Sequence, residues 1–405
     1  MEGRIMFTKN QLDKYSDVLL WGLKKARTRT YGRGDNILIR YDHAAVKLAE
    51  ILQSKVLGLG MNPILRIGNT PQMDRNFYKC ADEKQLRFSP PGEKELFEHL
   101  NGGIYLHAPE SLTHLRDIDP LRMGKAAVAR KALRDILWRR EEEGLFGWTL
   151  CLFPTAELAR CAGLSEKQYL SQIIRACYLD TKEPVKEWEK IFREAASIKR
   201  WLNSMDVEYY QVRSERMDLI ITPGKKRKWI GISGHNIPSF EIFLSPDWRG
   251  TTGMYYANLP SFRDGNYAEG IKLEFKNGYV IKTGAKKGRI FVEKQLSMDR
   301  GARRVGEFSL TDKRFSKINR FMANTLYDEN HGGHYGNCHL ALGLSYSDTF
   351  DGDPSELTKD LKKDLGFNDS ALHWDLVNTE KKRVTAFLKT GKGKVIYEEG
   401  MFKHN

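Results

Sequence analysis

Between residues 36 and 67 the chain passes from one apolar run to another through a helical spacing, and this succession constrains the fold more than any other feature. Asn36-Ile37-Leu38-Ile39-Arg40-Tyr41 reads as a mostly buried strand. Over residues 43–58, Val46, Ala49, Ile51, Leu52 and Val56 recur with helical spacing, and Pro63-Ile64-Leu65-Arg66-Ile67 supplies a second strand. A strand, a helix and a strand of these lengths predict a βαβ unit and hence parallel strands. The alternation continues with a helix over 93–100, a strand over 103–107, one long amphipathic helix over 121–143 and a strand over 148–153. Pro154-Thr155 opens two short helices that reach residue 176, and a helix over 185–202 closes the half.

Near residue 206 the texture changes to short alternating segments, over 207–212, 217–222, 229–233, 241–244 and 253–259. The clearest hairpin joins residues 271–275 to 279–282 through Asn277-Gly278, a pair suited to the two positive φ angles of a type I′ turn. At 405 residues the chain is long enough for two cores. The expected organisation is an α/β N-terminal domain with a mainly parallel sheet, residues 1–205. A β-rich α+β domain, residues 206–405, should follow and carry the chemistry.

Composition narrows the function classes. Hydrophobic residues at 40% and the absence of long Pro, Ser or Gln tracts point to folded halves rather than disorder. No stretch approaches the roughly 20 apolar residues of a membrane span, and the first ten residues lack a signal peptide's apolar run, so a soluble, cytoplasmic protein is expected. The five cysteines never form Cys-x-x-Cys. Cys80, Cys151, Cys161 and Cys177 sit in apolar surroundings that suit reduced core thiols. A formal charge of +14 raises a nucleic-acid or acidic partner, but it is spread along the chain. Its densest run, Lys225-Lys226-Arg227-Lys228 after Pro223-Gly224, reads as a solvated hairpin tip. The turn Tyr41-Asp42-His43-Ala44 lacks the glycines of a dinucleotide-binding loop.

Six of the ten histidines follow residue 234. His373-Trp374-Asp375 is the sharpest signal, because side chains at i and i+2 of a strand share a face and can reach one metal. His331 and His334 have the spacing of a helical chelate, yet Gly332, Gly333 and Gly336 argue for a loop. No His-Glu-x-x-His and no Gly-x-Ser-x-Gly is present.

Five ordered blocks then carry a resemblance. They are Asn236-Ile237-Pro238-Ser239-Phe240-Glu241-Ile242-Phe243, Gly301-Ala302-Arg303-Arg304-Val305-Gly306-Glu307, Asn324-Thr325-Leu326-Tyr327-Asp328-Glu329-Asn330, His339-Leu340-Ala341-Leu342-Gly343 and His373-x-Asp375. Together they resemble the signatures of the aminopeptidase T, or thermophilic aminopeptidase, family. The likeness extends more weakly to residues 153–159 and 395–400.

The resemblance implies a cytoplasmic exopeptidase that removes amino-terminal residues from peptides with a free α-amino group, pairs as a homodimer and uses two divalent ions, zinc, cobalt or manganese. It implies Glu241, Glu307, His339, Tyr346, His373 and Asp375 as ligands. Such a set suits first-row ions, and a pair of ions would supply hydroxide near neutral pH. The second ion is a candidate for holding the substrate's amino group. Glu307 is the first candidate for general base, with Glu241 next, and Tyr346 for the oxyanion. Without the family, an ion pair of Glu307 with Arg303 or Arg304 would be the default. Asp328, Glu329 and Asn330 fit a turn, a ligand-orienting role or capture of the amino group equally well.

Two departures stand out. Phe240 occupies a place where the family commonly has Gly, and either narrows the pocket or packs inward; the loop from Asn330 to His339 looks long. The rival reading is a basic metal-dependent nuclease or nucleic-acid-binding protein, although no aromatic-interleaved basic stripe supports it.

Overall fold

A computed structural model describes residues 6–263, 266–353 and 356–404. The chain divides into two compact units, 1–188 with 233–239, and 189–232 with 240–405. This division is not the single cut expected at 205/206. It falls inside the helix Pro184–Asn203, and a short segment later returns to the first unit.

The first unit holds a five-stranded sheet in which every pairing is parallel, in the order Asn62–Ile67, Asn36–Tyr41, Gly102–His107, Gly147–Leu152 and Asn236–Ile237. Ile37, Leu38 and Ile39 are all buried, as expected of a parallel strand covered on both faces. The last strand is contributed by the returning segment, which no local pattern announces. The long helix expected over 121–143 is two helices, Pro120–Ala129 and Lys131–Glu142, broken at Arg130.

The second unit is strand-rich and antiparallel, with one eight-stranded and one four-stranded sheet. The hairpin Ile271–Lys276 and Tyr279–Gly284 turns through Asn277 at φ 50° and Gly278 at φ 80°, as the Asn-Gly pair requires. Residues 229–233 form no strand. Gly231 at φ 128° and Ile232 at φ 50° leave the extended region, and only an isolated bridge joins Ile230 to Phe243. The basic run is solvated only in part: Lys225 and Lys226 are exposed in a turn, whereas Arg227 is half-buried and stacks 3.3 Å over Phe367. Cys151, Cys177 and Cys338 are buried, whereas Cys80 is exposed and Cys161 half-buried.

The four-stranded sheet has the order His373–Asn378, Asn337–Gly343, Val305–Thr311 and Glu241–Leu244. One face is apolar, with Phe308, Leu310, Leu340, Leu342, Trp374 and Leu376 buried. The larger sheet lies behind this face, its Tyr255 hydroxyl donating to the Leu376 carbonyl at 2.5 Å and Tyr210 packing 6.4 Å from Phe308. The opposite face is where polar chemistry collects.

Candidate metal centre

Strand register decides which side chains meet. Thr311 lies opposite Glu241, Ser309 opposite His339, Glu307 opposite Ala341, and Ala341 opposite Asp375. Directly opposed residues share a face, and alternate residues follow them, so Glu241, Glu307, His339, His373 and Asp375 all point the same way. Glu307 reaches this face through a bulge. The pairing steps two residues on its own strand, Val305 to Glu307, against one on the partner, with Gly306 as the extra residue. A Cβ on Gly306 would stand 2.2 Å from the Leu344 carbonyl oxygen and 2.5 Å from that of Gly343, so only glycine fits the bulge.

The side chains converge tightly. His339 Nε2 lies 2.9 Å from Glu307 Oε1, 3.5 Å from Glu241 Oε2 and 3.8 Å from Asp375 Oδ1. His373 Nε2 lies 3.3 Å from Asp375 Oδ1 and 3.9 Å from Glu307 Oε2. Ligand atoms of Glu241, Glu307 and His339 lie within 4.8 Å of one another, and all three residues are buried. Both imidazoles are oriented from behind: His339 Nδ1 is 3.3 Å from the Glu329 carbonyl oxygen and His373 Nδ1 is 3.0 Å from that of Leu344. With Nδ1–H donating to a carbonyl, each ring keeps its Nε2 lone pair for an ion.

Burial and crowding push the metal-free groups away from these ligating states. Glu241 is raised to about 8, chiefly by burial and then by the charge of Glu307. Burial would lower His339, but its hydrogen bond to Glu307 and the surrounding carboxylates lift it to about 9. His373 also reaches about 9, burial being outweighed by Asp375 and Glu307. Asp375 lies well below its usual range, because His373 and His339 overcome the effect of burial. Carboxylates packed together with protonated imidazoles are a donor set that divalent cations fit, replacing protons by metal.

Tyr346 stands at the rim, 39% exposed, with its ring 4.7 Å from that of His373 and 5.9 Å from Phe243. Burial, with Glu307 and Asp375 next, pushes its hydroxyl well up, so the phenol stays protonated. The Arg residues near Glu307 are otherwise engaged. Arg304 stacks 3.9 Å over Trp248, and Arg303 donates to the Val280 carbonyl at 3.4 Å.

The Asp328-Glu329-Asn330 block separates into distinct roles. Asp328 accepts from the Met322 and Asn324 amides at 2.7 and 3.0 Å, and Asn330 accepts from the Phe240 amide at 2.5 Å while donating to the Leu326 carbonyl. Glu329 is different: its carboxyl is buried beside the site, raised well above its usual range by burial and by Glu241, Asp375 and Glu307. Phe240 is fully buried and packs inward. His331 is buried with its backbone carbonyl bound by Asn337, and His334 stacks edge-on against Tyr335; neither belongs to the Glu241–Glu307–His339 group. Ser309, on the site face, is a residue the sequence did not single out, and its buried hydroxyl has no hydrogen-bond partner among the described residues.

Residues 8–402 match the model of the thermophilic metalloprotease family M29. The chain belongs to this family. It is a metal-dependent hydrolase of the aminopeptidase kind. Aminopeptidase T of Thermus aquaticus is 27% identical over 68% of this chain and 70% of its own length. Aminopeptidase PepS of Streptococcus thermophilus is 23% identical over 91% and 92%. The structure of wild-type AmpT from Thermus thermophilus superposes with a TM-score of 0.80, covering 98% of this chain and 99% of that one at 21% identity. That likeness establishes the two-part fold of the metalloprotease, an N-terminal parallel sheet with helices followed by antiparallel strand-rich sheets. The nuclease reading is not favoured. Among the described residues no helix is long and apolar enough to cross a membrane.

Proposed function

We propose that the protein removes the amino-terminal residue from peptides bearing a free α-amino group, with two divalent ions held by Glu241, Glu307, His339, His373, Asp375 and the rim residue Tyr346. Zinc, cobalt and manganese are the candidate ions, the β-rich half, 206–405, is the catalytic part, and the enzyme works in the cytoplasm as a homodimer. One observation carries the reading: two imidazoles with Nδ1 tied to carbonyls and three carboxylates share one face of four adjacent strands.

Ions held by these residues would supply hydroxide near neutral pH and polarise the scissile carbonyl. Glu307, placed between His339 and His373, takes the proton of the attacking water on a carboxylate oxygen and returns it to the leaving amine. The Tyr346 hydroxyl donates to the oxygen that gains charge in the tetrahedral state. The apolar rear of the sheet holds the strands, and so the ligands, in register.

The test incubates the metal-loaded protein with aminoacyl chromogenic anilides and their N-acetylated forms. Release from the free-amine substrates only, abolished by a chelator and restored by zinc, cobalt or manganese, is expected. Equal cleavage of both forms, or none with any ion, refutes the proposal. Glu307→Gln should retain its fold yet lose at least about 100-fold in kcat, the lower range for a positioned acid–base group.

A further inference from the structure

Away from the metal centre, the first unit brings a hydroxyl, an imidazole and a carboxylate into line. Ser233 Oγ lies 2.7 Å from His235 Nδ1, and His235 Nε2 lies 2.8 Å from Glu141 Oε1. A hydroxyl on one ring nitrogen and a carboxylate on the other is the arrangement that makes serine a nucleophile, and it is recognised by these roles rather than by chain order. With Nε2–H donating to Glu141, the tautomer is fixed and Nδ1 keeps its lone pair for the hydroxyl proton. None of the three belongs to the Glu241–Glu307–His339 group.

The backbone holds the constellation in place. The Gly234 carbonyl accepts from Thr149 Oγ1 at 2.9 Å and the His235 carbonyl from the Leu150 amide at 2.7 Å, so the parallel sheet pins the turn between nucleophile and base. Gly234 has φ 92°, and a Cβ there would stand 2.4 Å from the Gly22 carbonyl oxygen. Glu141 comes from the helix Lys131–Glu142, and the Trp148 ring packs 4.6 Å from the imidazole. Ser233 is exposed, whereas the His235 and Glu141 side chains are only 24% and 27% exposed. A plain ion pair would leave Nδ1 to water; here it is engaged by a hydroxyl that is itself open to an incoming molecule.

We infer that Ser233, His235 and Glu141 form a metal-independent acyl-transfer site for small, activated carboxylic esters. Ser233 Oγ bonds to the ester carbonyl carbon while its proton passes to His235 Nδ1. The bond from that carbon to the leaving oxygen then breaks, and the alcohol departs with the proton. Water attacks the acyl-serine by the same route, its proton passing through Nδ1 to the serine oxygen, and the carboxylic acid is released. Glu141 is a positioning residue that orients the ring and favours its cationic form. The half-buried Trp148 offers an apolar face to an aryl leaving group. Because Ser233 is open to water, solvent rather than a closed set of donors stabilises the developing oxyanion. Turnover is therefore confined to esters with good leaving groups and does not extend to peptides.

The test treats the metal-loaded and the chelator-treated full-length protein with p-nitrophenyl acetate and, separately, with diisopropyl fluorophosphate. An acyl burst of about one equivalent per chain, the same with and without chelator, is expected, as is a phosphonyl adduct that peptide mass mapping places on Ser233. Ser233→Ala should lose both. His235→Gln should slow acylation by about 100-fold or more. Glu141→Gln keeps the acceptor but removes the charge, and should slow the burst without changing its final amplitude. A burst that survives Ser233→Ala or disappears with chelator, an adduct on another residue, or no adduct at all overturns the inference. Where a variant fails to fold, the mapped adduct on wild type decides alone. Failure of this site leaves anilide cleavage at the metal centre untouched, so the two readings stand or fall separately.

Discussion

Metal uptake by this site should expel protons, and the number can be worked from the geometry. In the metal-free protein Glu241 is raised to about 8 and His339 and His373 to about 9, so at pH 7 each of the three holds a proton. Ligation through a carboxylate and two Nε2 atoms requires all three to lose it. Loading the site should therefore release ~3 protons at pH 7, and the apparent affinity should rise by up to about three decades per pH unit below that point. At about 1.4 kcal/mol per unit of displacement, stripping them costs several kcal/mol that the ions must recover. Calorimetric titration with zinc in buffers of different ionisation enthalpy measures the count as the slope of apparent enthalpy against buffer enthalpy. A slope near zero, or an affinity flat from pH 6 to 8, would show that these residues do not ligate as a set.

The same shifts set the stability of the metal-free protein. Glu241 and Asp328 at about 8, with His339 and His373 at about 9, bind protons more tightly folded than unfolded, so the stability these four contribute is full below their ordinary values and is lost as pH rises through about 3.8–9. Melting of chelator-treated protein should fall between pH 6 and 9, with a smaller fall after metal loading; a Tm that rises contradicts this. Phe240→Ala removes a fully buried ring and should cost about 3–5 kcal/mol in urea unfolding without changing substrate preference. Tyr346→Phe should still hold metal through the five remaining ligands and lower kcat by about 100-fold, and an unaltered kcat would remove the hydroxyl from the reaction.

Much of the architecture could be read from apolar periodicity, because both halves bury their strands in the ordinary way. The βαβ succession produced the parallel sheet, and Asn277-Gly278 its turn. Periodicity failed where pairing partners, not local pattern, decide the outcome. Residues 229–233 alternate like a strand, but the backbone of Gly231 and Ile232 turns away from one. Asn236–Ile237 has no local signal and becomes a strand by joining Gly147–Leu152. At the site, spacing offered only His373 with Asp375; Glu241, Glu307 and His339 are brought to them by register across three other strand segments. Glu329 stayed ambiguous because its neighbours in sequence, Asp328 and Asn330, are turn-formers, and only their hydrogen bonds single it out.

The bulge at Gly306 lets Val305 and Glu307, two residues apart, lie on opposite faces of the sheet, and from Glu307 onward the count of residues fixes the face. Deleting Phe308 would carry that carboxylate into the place opposite Leu340, on the apolar side, though every ligand would still be present in the sequence. Gly306→Ala, with no room for its methyl group, disturbs the backbone beside Glu307 without altering a ligand. Survival of the centre through evolutionary drift or redesign thus depends on keeping a residue count as much as on keeping five side chains, and a checklist of ligands would miss its loss.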